Sequence, residues 1–483
     1  MADRSLASDA SSPGSWVSRG DRSWSRRTFS KVEAGSIRGS IFSLCCSAIG
    51  MGVLLLPYTM AQVGPLCALV LLAVAGVAAF ASLRICCAGM QVAHAHSYVE
   101  TLTAIFSERI ALLLTTMLVV ACFGLCCGYF VFSSQLLKQL LQVAGIDCPR
   151  GLIVAVTACF PVFPLSLFRN LSDFRYLTLV SLAGLTYLTL LVVLRMPSYA
   201  DMNSLGSSWW WQVRDVSAVP KCLSLCFAAF TVHMNVFACY DELQNPTSNR
   251  IVKVLSRSTL VQSILYVSIA TCGFLSFGRN TPDNILMAYS LHDVLGNLGR
   301  AFVSFQLLLA VPLTVHPARL YFWPLIRQCR RSSRRSTARP SAPGGIRLVP
   351  LNGGAQPLEE GTRGATEPAQ DTPESMPRVA HFSITVAVVA LAALVAACVE
   401  SASDLLGIVG GFAAVTYAYL LPAEMAMRLR TSGETLNVEW SASPASFVAD
   451  RMGPVVIAGL RCCCVLGYIA AAQCAWNMIQ GSQ

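Results

Sequence analysis

The chain has 483 residues, of which 54% are hydrophobic and 12% charged, with a mean hydropathy of +0.58. Soluble globular domains carry about 25% charged residues, so this composition excludes one and points to a polytopic membrane protein. The formal net charge is +10, but the basic residues gather on no foldable soluble segment. A positive-inside bias of membrane loops explains the excess, and a nucleic-acid partner is not expected.

Residues 1–35 are polar and rich in Ser, Arg and Gly, without the apolar core of a signal peptide. Asp3, Asp9, Asp21 and Glu33 argue against a transit peptide, so a disordered cytosolic tail is predicted. The first apolar segment, 38–62, is long enough to span, yet Ser47, Gly50 and Gly52 cluster at its centre and Pro57 follows. Gly costs about 1 kcal/mol against Ala inside a helix, and backbone freed in lipid must find other partners. A break at mid-membrane depth is reasonable where the freed N–H and C=O groups hold a polar solute, as in secondary transporters.

Further apolar segments follow at 65–89, 109–138, 149–168, 173–196, 219–241, 252–277, 294–325, 379–399, 402–425 and 454–478, giving eleven spans in all. The fourth is interrupted by Pro161 and Pro164. Basic residues alternate in step with this count. Arg19, Arg22, Arg26, Arg27, Lys31 and Arg38 share a side with Arg169 and Arg175, Arg250 and Lys253, Arg327 to Arg347, and Arg428 and Arg430. The N-terminus is therefore predicted cytosolic, and the odd span count puts 479–483 outside. The membrane part divides into 36–325 and 379–478, separated by 326–378. That segment starts with an Arg/Ser run and turns Pro/Gly/Glu/Thr-rich, which reads as a disordered basic loop. Its start reads first as a topology determinant, with head-group contact or phosphorylation at Ser332, Ser333 or Ser336 as the alternatives. Most of the 20 cysteines lie in the spans as small packing residues. Cys148 and Cys222 fall near the non-cytosolic face, where a disulfide between them stays open.

No metal-ligand cluster, phosphate loop or nucleophile motif occurs in the spans, and His381 has no evident partner, so an enzyme is not expected. The sixth span carries Thr231, His233 and Asn235 near its middle, where polar side chains must face protein or water. His233 reads equally as a core histidine or a proton relay; Asn235 reads as a brace of the bundle. The eighth span holds Ser304, Gln306, Pro312, Thr314 and His316, oxygen-bearing groups of the kind that complete a hard-cation site. Tyr129 and Gln135 in the third span are further candidates, while Arg300 and Arg461 are expected to snorkel.

Several segments together resemble the amino acid/auxin permease family, which includes the system A/N and vesicular amino acid transporters. They are Gly50-Met-Gly-Val-Leu-Leu-Leu-Pro-Tyr58, Pro164-Leu-Ser-Leu-Phe-Arg-Asn-Leu171 with Leu177 and Ser181, and Phe227-Ala-Ala-Phe-Thr-Val-His-Met-Asn235 with Tyr240 to Glu242. Phe274-Leu-Ser-Phe-Gly278 and Asp404 to Pro422 complete the set. The resemblance covers roughly 36–478. It implies an all-α LeuT-like fold, a 5+5 inverted repeat plus one helix with broken first and sixth helices. It also implies α-amino acid transport driven by a proton or sodium gradient, with no cofactor beyond that ion.

Physical reasoning then places a substrate carboxylate on the N–H groups of Gly50, Met51, Gly52 and Val53, where a helix start favours an anion. The ammonium faces carbonyls near Ser47, Ala48, Phe227 and Phe230. Phe230, Thr231, Tyr129 and Ser304 shape the side-chain pocket, with His233 and Thr314 as coupling candidates. Characterised sodium-coupled members carry an Asn before the glycine; here Ser43 to Ser47 contains none, which leaves H+ and Na+ both open. The absence of a mid-membrane acid favours neutral substrates. A monomer in the plasma membrane or an endolysosomal or vacuolar membrane is expected. The alternative is an amino acid sensor on the same fold with little flux.

Overall fold

Apolar spans fold as helices because a helix satisfies its own backbone N–H and C=O groups without water. The computed structural model describes residues 36–48, 50–168, 175–200, 210–244, 247–337, 376–433 and 453–481. In chain order the helices are α1 (Ile37–Ala48), α2 (Gly52–Val63), α3 (Pro65–Ala93), α4 (Tyr98–Ile105), α5 (Glu108–Val143), α6 (Arg150–Ser166) and α7 (Arg175–Tyr199). They continue as α8 (Val219–Ala229), α9 (His233–Asp241), α10 (Ser248–Phe277), α11 (Val294–Thr337), α12 (Arg378–Cys398), α13 (Ala402–Arg430) and α14 (Gly453–Gly481). Eight spans among them are long and apolar enough to cross a membrane, α8 with α9 counting as one; α2 and α6 are shorter apolar helices. No strand occurs among the described residues. The predicted tail 1–35 and the loop from 338 to 375 lie outside them.

Local sequence explains the less regular features. Gly64, at φ +91°, turns the chain sharply from α2 into α3, and a Cβ there would run into the Gln212 carbonyl oxygen. Pro65 then starts α3, where its missing N–H costs nothing. Pro161 sits in a π-helical turn, Ala158–Val162, because its ring opposes the normal i−4 register. Two more π segments, Val409–Ala414 and Thr416–Leu420, widen α13; such turns gather at functional sites.

Two sequence expectations change, and the open question of a Cys148–Cys222 disulfide is answered. The loop predicted to begin at 326 is helical as far as Thr337, since the Arg/Ser run holds no Gly or Pro and Arg is a good helix former. Arg300 does not snorkel. It is fully buried, with its guanidinium on Gln139 Oε1 at 2.7 Å and on the Tyr289 and Ser290 carbonyls, fastening the loop before α11 to α5. Cys148 and Cys222 are both free thiols, and Cys222 is buried against the Thr59 carbonyl. Arg461 is partly exposed and pairs with Glu424 at 2.6 Å.

Candidate substrate site at two helix breaks

Helix α1 ends at Ala48 and α2 starts at Gly52, so the first apolar segment is not one continuous helix. Helix α8 ends at Ala229 and α9 starts at His233, with Phe230 to Val232 outside regular helix. The two interruptions lie against each other: a Cβ on Gly52 would stand 3.1 Å from Ala229 Cα. Tyr266 of α10, itself fully buried, joins them. Its hydroxyl approaches the Ala48 carbonyl at 3.1 Å and the Ala229 carbonyl at 2.8 Å. One phenol therefore ties the C-terminal ends of α1 and α8, where the helix dipoles are negative. On the opposite side the α2 start presents its N–H end. Gly50, Val53 and Leu54 there find short-range acceptors, the Ala48 carbonyl at 3.1 Å, the Gly50 carbonyl at 3.4 Å and the Met51 carbonyl at 3.1 Å. Backbone ends of opposite sign thus approach one another where Gly52 faces Ala229.

The predicted residues separate into two sets. Gly50 is partly buried, and a Cβ on it would lie 3.7 Å from the Tyr129 hydroxyl, which interacts with Thr314 of α11. Gly50, Tyr129 and Thr314 are thereby brought together. Met51 and Val53 are buried, and Met51 packs on Gly128 of α5. Phe227 packs on Tyr419 at 4.9 Å, and Phe230 packs edge-on against Tyr266 at the same distance. Thr231 donates to the Phe227 carbonyl at 2.6 Å. His233 is fully buried beside Ser82 of α3 and Tyr419. Ser47 is exposed, with its hydroxyl spent on the Ser43 carbonyl at 2.8 Å, so only the backbone of Ala48 serves the site from that end. Ser304 does not join the site. Its hydroxyl bonds Ala301 in its own helix, and it lies about 15 Å along α11 from Thr314 at 1.5 Å per residue.

Burial differs on the two sides of the breaks. Toward the α2 and α8 ends, Leu54 to Pro57 and Lys221 to Phe227 are buried. Lys221 Nζ lies 2.7 Å from Asp404 Oδ1 at the start of α13 and 3.5 Å from the Tyr58 hydroxyl. Asp283, from the loop between α10 and α11, accepts the N–H groups of Ala402 and Ser403 at 3.1 and 3.3 Å. Its carboxyl is pushed above the usual range by burial, against the pull of those N–H groups and Lys221. Asn284 in the same loop donates to Gln135 of α5 at 3.5 Å. This face is closed. Toward the α1 and α9 ends, Ser43, Ser47, Asn235 and Asp241 are exposed. Such polar positions would be costly against lipid. A cavity of about 590 Å³ lies under the loop at 278–288, lined by Phe277, Asn280, Pro282 and Met287, and includes no break residue.

Sequence reasoning missed Tyr266, Tyr419 and the Lys221–Asp404 contact. Tyr266 and Tyr419 sit in apolar runs where a Tyr reads as packing, and a contact across 183 residues leaves no local trace. Lys221, next to an apolar run, was the one available signal.

Helices, breaks and apolar surface together define a polytopic all-helical membrane protein with a LeuT-like fold. The structure resembles that of MhsT in complex with L-phenylalanine, at a TM-score of 0.51 and 12% identity, covering 92% of this chain and 100% of that one. Residues 33–458 match the transmembrane amino acid transporter protein family, and the chain belongs to that family. It is 29% identical over 323 residues to a putative amino acid transporter, AAT1, of Toxoplasma gondii, covering 65% of this chain and 44% of that protein. It is 27% identical to vacuolar amino acid transporter 6 of Saccharomyces cerevisiae, covering 59% and 65%. Sodium-coupled neutral amino acid transporter 7 of Xenopus laevis is 25% identical, covering 57% and 63%. The chain thus spans about half to two-thirds of the length of these relatives.

Proposed function

We propose that this protein is a secondary active transporter that moves neutral α-amino acids by alternating access through the paired helix breaks. The observation that carries this reading is Tyr266 bridging the Ala48 and Ala229 carbonyls beside the N-terminal end of α2. The carboxylate binds at Gly50 to Val53, and the ammonium binds at the carbonyl ends of α1 and α8. Phe227, Phe230, Thr231 and Tyr129 surround the side chain. No charged side chain is recorded among these residues, which favours a neutral substrate.

In this reading α1 with α2, α3, α5, α6 and α7 form one repeat of five. Helices α8 with α9, α10, α11, α12 and α13 form the inverted second repeat, and α14 is the added helix. Breaks then fall at the first and sixth positions, as substrate sites built from discontinuous helices require. The α1 end faces the cytosol under the positive-inside bias, so the conformation is closed outside and open inside. The chain works as a monomer in the plasma membrane or an endolysosomal or vacuolar membrane. Reconstituted wild-type protein is expected to accumulate a radiolabelled neutral amino acid under an imposed ion gradient. Gly52→Leu, still inserted and monodisperse, is expected to lose that uptake; normal uptake by the variant would refute the site.

A further inference from the structure

His233 opens α9 immediately after the second break, and its side chain is 0% exposed. Its Nε2 lies 3.1 Å from Ser82 Oγ on α3. The Ser82 hydroxyl has one hydrogen, and it donates this to the carbonyl of Ala418 in the π-helical part of α13. The serine oxygen must therefore accept from the histidine, which puts the ring hydrogen on Nε2. Nδ1 is then the bare nitrogen of a neutral imidazole, and it is buried with no hydrogen-bond partner among the described residues. A buried acceptor left unmet is costly and calls for an explanation.

The groups around the ring narrow the choice. From α3 the facing polar group is Ser82, and Cys86 lies one turn further on. From α13 it is Tyr419, with ring centres 5.7 Å apart, whose phenol neighbours Thr231. From α9 itself the ring is followed by Phe237, which stacks on Tyr98 at 4.5 Å. No carboxylate or cationic side chain is recorded acting on the imidazole, and burial alone marks its surroundings. A metal ion would need further ligands, and no group of three His, Cys, Asp or Glu occurs among the described residues. A fully buried ring also leaves no volume for an ammonium group. A proton needs none.

We propose that His233 is the proton-carrying group of this transporter and that Nδ1 is the atom that loads and unloads. This rests on the transport reading above and specifies its coupling ion. In the loaded state Nδ1 accepts a proton from water, the ring becomes an imidazolium with two N–H donors, and Nε2 keeps its bond to Ser82. Unloading returns the proton to water and restores the lone pair seen here. The break just before His233 allows α9 to move relative to α3 and α13, so the ring can meet water in one conformation and be sealed in another. The present conformation is the unloaded one, since a proton on Nδ1 would find no acceptor.

The test uses full-length protein in proteoliposomes, comparing wild type with His233→Gln and His233→Asn. Gln keeps an N–H for Ser82 but cannot carry the charge; Asn places its amide at the Nδ1 position and guards against a folding failure of the first variant. Wild type is expected to accumulate a neutral amino acid under an acid-side pH gradient and to move protons, read by a trapped pH dye. Both variants are expected to lose about tenfold or more of gradient-driven accumulation together with the dye signal. Amino acid counterflow without a gradient should fall by no more than about threefold. Three results would overturn the proposal: retained pH-driven accumulation in both variants, wild-type accumulation driven by sodium and indifferent to pH, or a raised KM at every pH with the proton signal intact. The last would make His233 a substrate ligand. Each of these leaves the transport reading standing, whereas failure of wild type to move any amino acid would sink both.

Discussion

The two sides of the helix breaks are built on different principles. On the α2/α8 side a nearly dry ion pair, Lys221 with Asp404 at 11% and 13% side-chain exposure, joins α8 to the start of α13. A buried loop carrying Asp283 and Asn284 caps it. On the α1/α9 side the corresponding contact is His96 with Asp241 at 2.6 Å, with 68% and 51% of the side chains exposed. A buried pair resists being broken because each half strands a charge; an exposed pair opens at little cost. The difference teaches that the closed face is held by polar groups that must part together, while the other face is held loosely.

The largest expected effect is at the centre. Gly52→Leu forces a side chain onto the α8 backbone already 3.1 Å from a Cβ, and transport should disappear while the protein stays in the membrane. Next is the closed face. Lys221→Met or Asp404→Asn alone should destabilise that face by about 3–5 kcal/mol, read as faster hydrogen exchange in α2, α8 and the start of α13. The double variant should recover most of this; equal damage in single and double variants would show that the pair is not coupled. Tyr266→Phe removes the bridge between the breaks and should cost about 1–3 kcal/mol of substrate binding, or about 5- to 150-fold in affinity.

The loose face should show a pH dependence instead. The Asp241 hydrogen bond and charge raise the His96 pKa above its ordinary 6.5. The attraction is therefore complete below 6.5 and fades as pH rises through the raised value. Cysteine labelling at the α9 end should quicken over that range in wild type, and Asp241→Asn should flatten the profile. The smallest effect is expected at Gly50→Ala. Its Cβ meets only the Tyr129 hydroxyl at 3.7 Å, so stability should change by no more than about 0.5 kcal/mol.

The contrast between Gly50 and Gly52 shows how far the sequence could be read. Poor helix formers at mid-membrane depth located the first break to within a residue or two, because backbone chemistry is local. The same reasoning treated both glycines alike, since only the packed structure shows that Ala229 stands over one of them. Thr231, Phe227 and Phe230 could be singled out because a polar stripe next to aromatics is visible along one helix, and the structure sets them at the second break. Ser304 and Thr314 share one apolar helix, and composition alone does not show the roughly 15 Å of helix between them. Tyr266 was not legible at all: its role depends on two carbonyls that are 181 residues apart in sequence.

The central claim is that bare main-chain ends of opposite sign hold both charges of one amino acid. Competition for uptake in proteoliposomes tests it most directly, comparing a neutral α-amino acid with its carboxamide and with its decarboxylated amine. The account predicts that only the molecule carrying both a free carboxylate and a free ammonium competes. Equal competition by the carboxamide would contradict it.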